Sequence, residues 1–153
     1  MPRTDAASLT VAASPARVFA CLIDPQELLA WLPPQGMIGR FERFDPRPDG
    51  SYRLILTYDD ASTAPGKATA DSDIVVARFV QIVPGSRVVQ AVDFVSDDEG
   101  FAGTMTMTWE VTGVADGTRV DITAEDVPEG ISAEDHAAGM ASSLRNLAAH
   151  VER

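Results

Sequence analysis

The sequence predicts an α+β domain: a curved antiparallel sheet of about seven strands wrapped on one long C-terminal helix, with two short helices after the first strand. Three observations carry this. From Gly36 to Asp126 the apolar residues recur with period two in six runs, and all separators but one are too short to hold crossover helices. After Pro128 the period becomes 3.6. The chain has 153 residues, the size of a single domain built on one core.

Residues 6–13 read as the first strand, with Leu9 and Val11 in phase. Ser14 to Ile23 reads as a short helix. Ser14 is its N-cap, because a hydroxyl there accepts from a free N–H of the first turn, and Pro15 fits N1, where a missing N–H costs nothing. Val18, Phe19, Cys21, Leu22 and Ile23 leave almost no polar face, so this helix is buried. A second helix starts at once, with Asp24 as cap, Pro25 at N1 and Glu27 at the capping-box position. Leu28, Trp31 and Leu32 share one face, and Pro33-Pro34 ends the helix.

The six strands are Met37–Phe44, Tyr52–Tyr58, Ile74–Val83, Arg87–Val95, Thr104–Val111 and Arg119–Glu125. Turn chemistry separates most of them: Pro46 to Gly50, Pro84-Gly85, Asp97 to Gly100 and Ala115-Asp116-Gly117. The long polar stretch Asp59–Asp73 is either a binding loop or disordered. Ser132 then caps the last helix, with Asp135 at N3. Ala137, Met140, Ala141, Leu144, Leu147, Ala148 and Val151 form a stripe of about 120°. The helix is ~30 Å long, enough to cross a sheet. Its stripe starts small, at Ala137 and Ala141, and turns bulky later. A cavity is therefore expected near its N-terminal half, with the bulky half plugging the far end.

Composition narrows the partners. Hydrophobic residues make up 45% and charged residues 23%, an ordinary globular balance. The formal charge of −11 repels phosphate, which argues against nucleic acid and anionic membrane as partners. No apolar run approaches the ~20 residues of a membrane span. The single cysteine, Cys21, allows no intrachain disulfide, and the N-terminus lacks an apolar signal segment. A cytoplasmic location is the expectation.

Several segments together resemble the activator of heat-shock-protein-90 ATPase homologue group, within the START and birch-pollen-allergen-like (SRPBCC) superfamily. They are Ser14 to Phe19, Asp24-Pro25 through Trp31, Phe44 to Tyr52, Ile82-Val83-Pro84, Met105 to Trp109, Asp116 to Val120 and Asp135 to Leu147. The resemblance spans about residues 8–152 and departs at Asp49, where relatives often carry a second glycine. It implies a helix-grip fold that encloses a cavity. The superfamily holds lipid carriers, hormone receptors, aromatase/cyclases and co-chaperones, so the resemblance is far less specific for function than for fold.

Catalytic candidates are few. No Gly-x-Ser-x-Gly, Walker, Rossmann or HExxH motif occurs, and no cofactor is implied. His136 and His150 stand about 21 Å apart on one helix and cannot share a metal or a proton; both read as solvated surface residues. Cys21 reads as an inert core thiol. The acidic clusters Asp59-Asp60, Asp71-Ser72-Asp73 and Asp97-Asp98-Glu99 read as solvated loop charge rather than a cation site. Gly139 falls mid-helix on the side away from the stripe, where close approach of a second subunit and tolerated drift both account for it.

The remaining signal is a set of aromatic and sulfur side chains with period two. Met105, Met107, Trp109 and Val111 alternate with threonines, so they point inward. Tyr52, Leu54, Leu56 and Tyr58 share a face, as do Val88, Gln90, Val92 and Phe94 once Asp93 is placed outward. Flexible methionines suit an interior that accepts varied apolar shapes, and Tyr, Trp and Gln add polar handles. Plain core is the competing reading of the same pattern. The expected ligand-binding set is Trp31, Tyr52, Leu54, Tyr58, Gln90 and Phe94 with Met105, Met107, Trp109, Ala137, Met140 and Leu144. The expected partner is a small hydrophobic or amphipathic molecule, bound without catalysis. A cyclase- or hydrolase-type enzyme using the same cavity and a chaperone-associated protein are the alternatives.

Overall fold

The computed structural model describes residues 3–33, 37–58, 72–94 and 103–152. The chain runs β1 (Thr4–Val11), α1 (Pro15–Ile23), α2 (Pro25–Trp31), β2 (Met37–Phe44), β3 (Ser51–Tyr58), β4 (Ser72–Val83), β5 (Arg87–Phe94), β6 (Met105–Val114), β7 (Gly117–Glu125) and α3 (Ala133–Val151). All seven strands form one antiparallel sheet, ordered β1-β7-β6-β5-β4-β3-β2. From β2 to β7 each strand pairs with its sequence neighbour. β1 closes the sheet against β7, so the two helices between β1 and β2 span the width of the sheet. The stretches 59–71 and 95–102 lie outside the described residues, and with them the clusters Asp59-Asp60 and Asp97-Asp98-Glu99 and most of the long loop; Ser72 and Asp73, expected to end that loop, instead begin β4.

Capping chemistry sets the helix starts. Arg17 N–H donates to the Ser14 hydroxyl at 3.2 Å, and Asp135 N–H to the Ser132 hydroxyl at 3.0 Å. Asp24 closes α1 and opens α2: its own N–H donates to Ala20, while its carboxylate accepts from Gln26 and Glu27. Pro25 leaves the Cys21 carbonyl without its helical donor. The buried Trp31 indole N–H supplies the missing bond, at 3.0 Å. Trp31 then packs edge-on against Trp109 of the sheet, with ring centroids 5.6 Å apart.

The β2–β3 turn shows how the departure at Asp49 is absorbed. Asp49 adopts φ 68°, the left-handed region that an aspartate tolerates better than most residues. Gly50 is obligatory, since a Cβ there would lie 2.2 Å from the Asp45 carbonyl oxygen. Both residues bond to Phe79, each at 2.8 Å, at the edge of the β4 bulge between Phe79 and Gln81.

The inward faces follow the strand alternation. Tyr52 and Leu54 of β3, Val88, Gln90 and Val92 of β5, and Met105, Trp109 and Val111 of β6 are all buried. Gln90 pairs across the ladder with Met107, and Val88 with Trp109. α3 buries Met140, Leu144, Leu147 and Val151 against this face. Ala137, expected to open the buried stripe, is exposed, whereas the rest of the stripe keeps its expected phase.

Candidate functional site: a cavity under the N-terminal half of the long helix

A cavity of about 320 Å³ lies between the sheet and the first turns of α3. Ligand pockets typically start at about that size. Its sheet side is formed by Tyr52 and Leu54 on β3, Gln90 on β5, and Met105, Met107 and Trp109 on β6. Its helix side is formed by His136, Gly139, Met140 and Ser143. These follow helical spacing, so one face of α3 looks into the space. An adjoining cavity of about 20 Å³, the size of one water molecule, is lined by Trp31, Tyr52, Gln90 and Trp109 among others.

Polar groups in the cavity are few and distinct. Gln90 is 7% exposed and Tyr52 5%. Neither side chain hydrogen-bonds to a protein group among the described residues, and their polar atoms open onto the cavity rather than being sealed in the core. Burial pushes the Tyr52 phenol up to about 12, so it remains a donor. The ring is held in place by Phe44, stacked at 5.6 Å, and by Phe41, edge-on at 5.3 Å.

His136 is the cavity group that the sequence reading placed elsewhere. It is not a solvated surface histidine. Its side chain is 12% exposed, and Nδ1 lies 2.7 Å from Asp5 Oδ2 on β1. Arg3 Nε donates to the same carboxylate at 3.1 Å. Burial pushes the Asp5 carboxyl up, but the hydrogen bonds from His136 and Arg3 outweigh it and hold the group below its usual value. Gly139 also differs from expectation: it borders the cavity, and a Cβ added there meets nothing within 4 Å.

A second polar group ties α1, α2 and α3 together. Glu27 accepts from His150, from Arg17 at 3.1 Å and from the Cys21 thiol at 3.5 Å. His150, like His136, is therefore paired and half-buried rather than solvated. The hydrogen bond from His150, then that from Arg17, hold Glu27 down to about 2. Cys21, Glu27 and His150 present metal-ligand atoms within 4.8 Å of one another. However, the Arg17 cation already occupies the Glu27 carboxylate, and burial pushes the Cys21 thiol up to about 11, away from the thiolate a metal needs. The group is a tie between helices.

Of the twelve residues expected around a ligand, Tyr52, Leu54, Gln90, Met105, Met107, Trp109 and Met140 line the main cavity. Trp31 reaches only the smaller one, and Leu144 is packed into the core. Ala137 is a correction: it faces solvent, because the neighbouring His136 takes the cavity-facing position. The side chains of Tyr58 and Phe94 lie outside the described residues. The expected set left out Leu32, Met37, Leu56, Val75, Val92 and Ile122, and on the helix His136, Gly139 and Ser143. The spacing of His136, Gly139 and Ser143 on one helical face was the signal available.

Comparison with known proteins agrees with this architecture. A Chromobacterium violaceum protein of known crystal structure is 29% identical, with TM-score 0.85 over 98% of this chain and 97% of that one. A Silicibacter pomeroyi protein described as an activator of Hsp90 ATPase homolog is 19% identical, with TM-score 0.79 over 98% of each chain. A Rhodobacter sphaeroides protein is 20% identical, with TM-score 0.78 over 97% of this chain and 92% of that one. No curated protein matches the chain. The family model for activator of Hsp90 ATPase homolog 1-like proteins matches residues 12–152, and the chain belongs to that family.

Proposed function

We propose that the protein binds a small apolar or amphipathic molecule in the cavity between the sheet and the N-terminal half of α3. One observation carries the reading: Gln90 and Tyr52 are buried at the cavity wall with no protein partner among the described residues. Their polar ends open onto the cavity, where a ligand's polar atom can pair with them. The methionines Met105, Met107 and Met140 around them conform to varied apolar shapes. No covalent step is assigned to the site.

The test is thermal unfolding against a panel of fatty acids, flat aromatics and polyketide-like compounds. A binder at one hundred times its Kd adds about 2.7 kcal/mol, a readily measured shift in Tm. Gly139→Phe, which grows a ring into the cavity mouth, should abolish the shift. No stabilisation by any compound would overturn the reading. The chaperone association suggested by the family's name has no comparable support here. The exposed apolar residues Ile38, Val80, Val83 and Val114 sit on β2, β4 and β6 rather than in one run.

A further inference from the structure

The cavity wall carries two titratable side chains among the described residues, Tyr52 and His136. His136 is built differently from the rest of the lining. Asp5 holds its Nδ1, and Arg3 in turn holds Asp5 and donates to the Ile131 carbonyl. A carboxylate only accepts, so the ring proton of the neutral imidazole sits on Nδ1. Nε2 is left with no protein partner among the described residues. This is the arrangement in which an imidazole takes a proton on its free nitrogen and a carboxylate behind it stabilises the resulting cation.

We propose that His136, oriented by Asp5, receives an oxyanion, and that the cavity's molecule is an apolar acid with a carboxylate on a hydrocarbon body. The inference rests on the cavity reading above and names its substrate class. The charge balance favours it. Arg3 and Asp5 cancel, so a protonated His136 leaves one net positive charge at a mostly apolar wall. One anion neutralises it, whereas a neutral ligand cannot. The carboxylate enters ionised and lies against Nε2. No bond to carbon forms or breaks. Glu134 and Asp135 on the same first turn of α3 are exposed, and Tyr52 faces the cavity from β3 as a neutral phenol. The chain's charge of −11 works against an approaching anion, so the recognition is local, and added salt should speed association.

The experiment compares decanoic acid with decanol by titration calorimetry. Decanoate should bind about tenfold tighter or more than decanol. In His136→Gln the acid-over-alcohol ratio should fall to near unity, and in Asp5→Asn it should fall part of the way. Imidazole ¹⁵N spectra of the unsubstituted protein provide a readout that depends on no variant. The chain has only two histidines, and the His136 Nε2 signal should shift with decanoate and not with decanol. Equal affinity for the two probes, a preference that survives His136→Gln, or unchanged ¹⁵N signals with decanoate bound would overturn this inference alone. Binding of neither probe would overturn it together with the cavity reading.

Discussion

Trp31 combines a backbone role with a place beside the site. Pro25 removes the N–H that the Cys21 carbonyl would have used, and the Trp31 indole restores the bond from the next helix. The same ring leans on Trp109, whose other surroundings include the cavity. Trp31→Phe keeps most of the apolar contact but orphans a buried carbonyl. It should cost about 1–3 kcal/mol in urea unfolding, more than loss of area alone would. A variant as stable as the parent would mean that the carbonyl has found another donor. The pairing is easy to miss in sequence, because it joins a proline's omission to an indole six residues further on.

At the scale of elements, the long helix is fastened at two points by histidines. His136 grips β1 through Asp5, and His150 grips α2 through Glu27. Glu27 titrates at about 2 in the fold against an ordinary 4.5. The sign follows: its stabilisation is complete above about pH 4.5 and is lost as pH falls towards 2. The Glu27 side chain is 28% exposed, which limits the effect to that of a partly screened pair. Glu27→Gln should therefore cost about 1 kcal/mol near neutral pH. It should also lose less stability than the parent on acidification. Denaturant titrations at neutral and acid pH measure both; parallel acid losses in parent and variant would remove Glu27 from the account. Neither fastening is legible in the sequence, since the partners are 131 and 123 residues apart.

For the whole molecule, a sheet of seven strands meets one long helix, and space remains between them where the helix begins. Leu144, Leu147 and Val151 fill the far end. At the near end Gly139 and Ser143 leave space, and Gln90 and Tyr52 face it. Gln90→Leu removes a buried polar group without a protein partner, so it should raise stability by about 1 kcal/mol. The same change should weaken any ligand whose polar end uses the amide. A destabilised variant would show that Gln90 is satisfied in the free protein, and would remove the main support for a ligand there.

The inward faces of β3, β5 and β6 were legible because a strand's pleat is local. Alternation alone sorts Met105, Met107 and Trp109 from the threonines between them. The helix caps were legible for the same reason: donor and acceptor lie within one turn. What the first turns of α3 face was not, and Ala137 shows why. Apolar periodicity reports which face meets a packed core, whereas a helix turn that meets a cavity is free to present His136, Gly139 and Ser143. Local chemistry thus determined the elements, their order and the face of each strand. Only the tertiary structure decided where the interior stays open and which distant charges stand beside the opening, because both depend on how surfaces far apart in the chain fit when they meet.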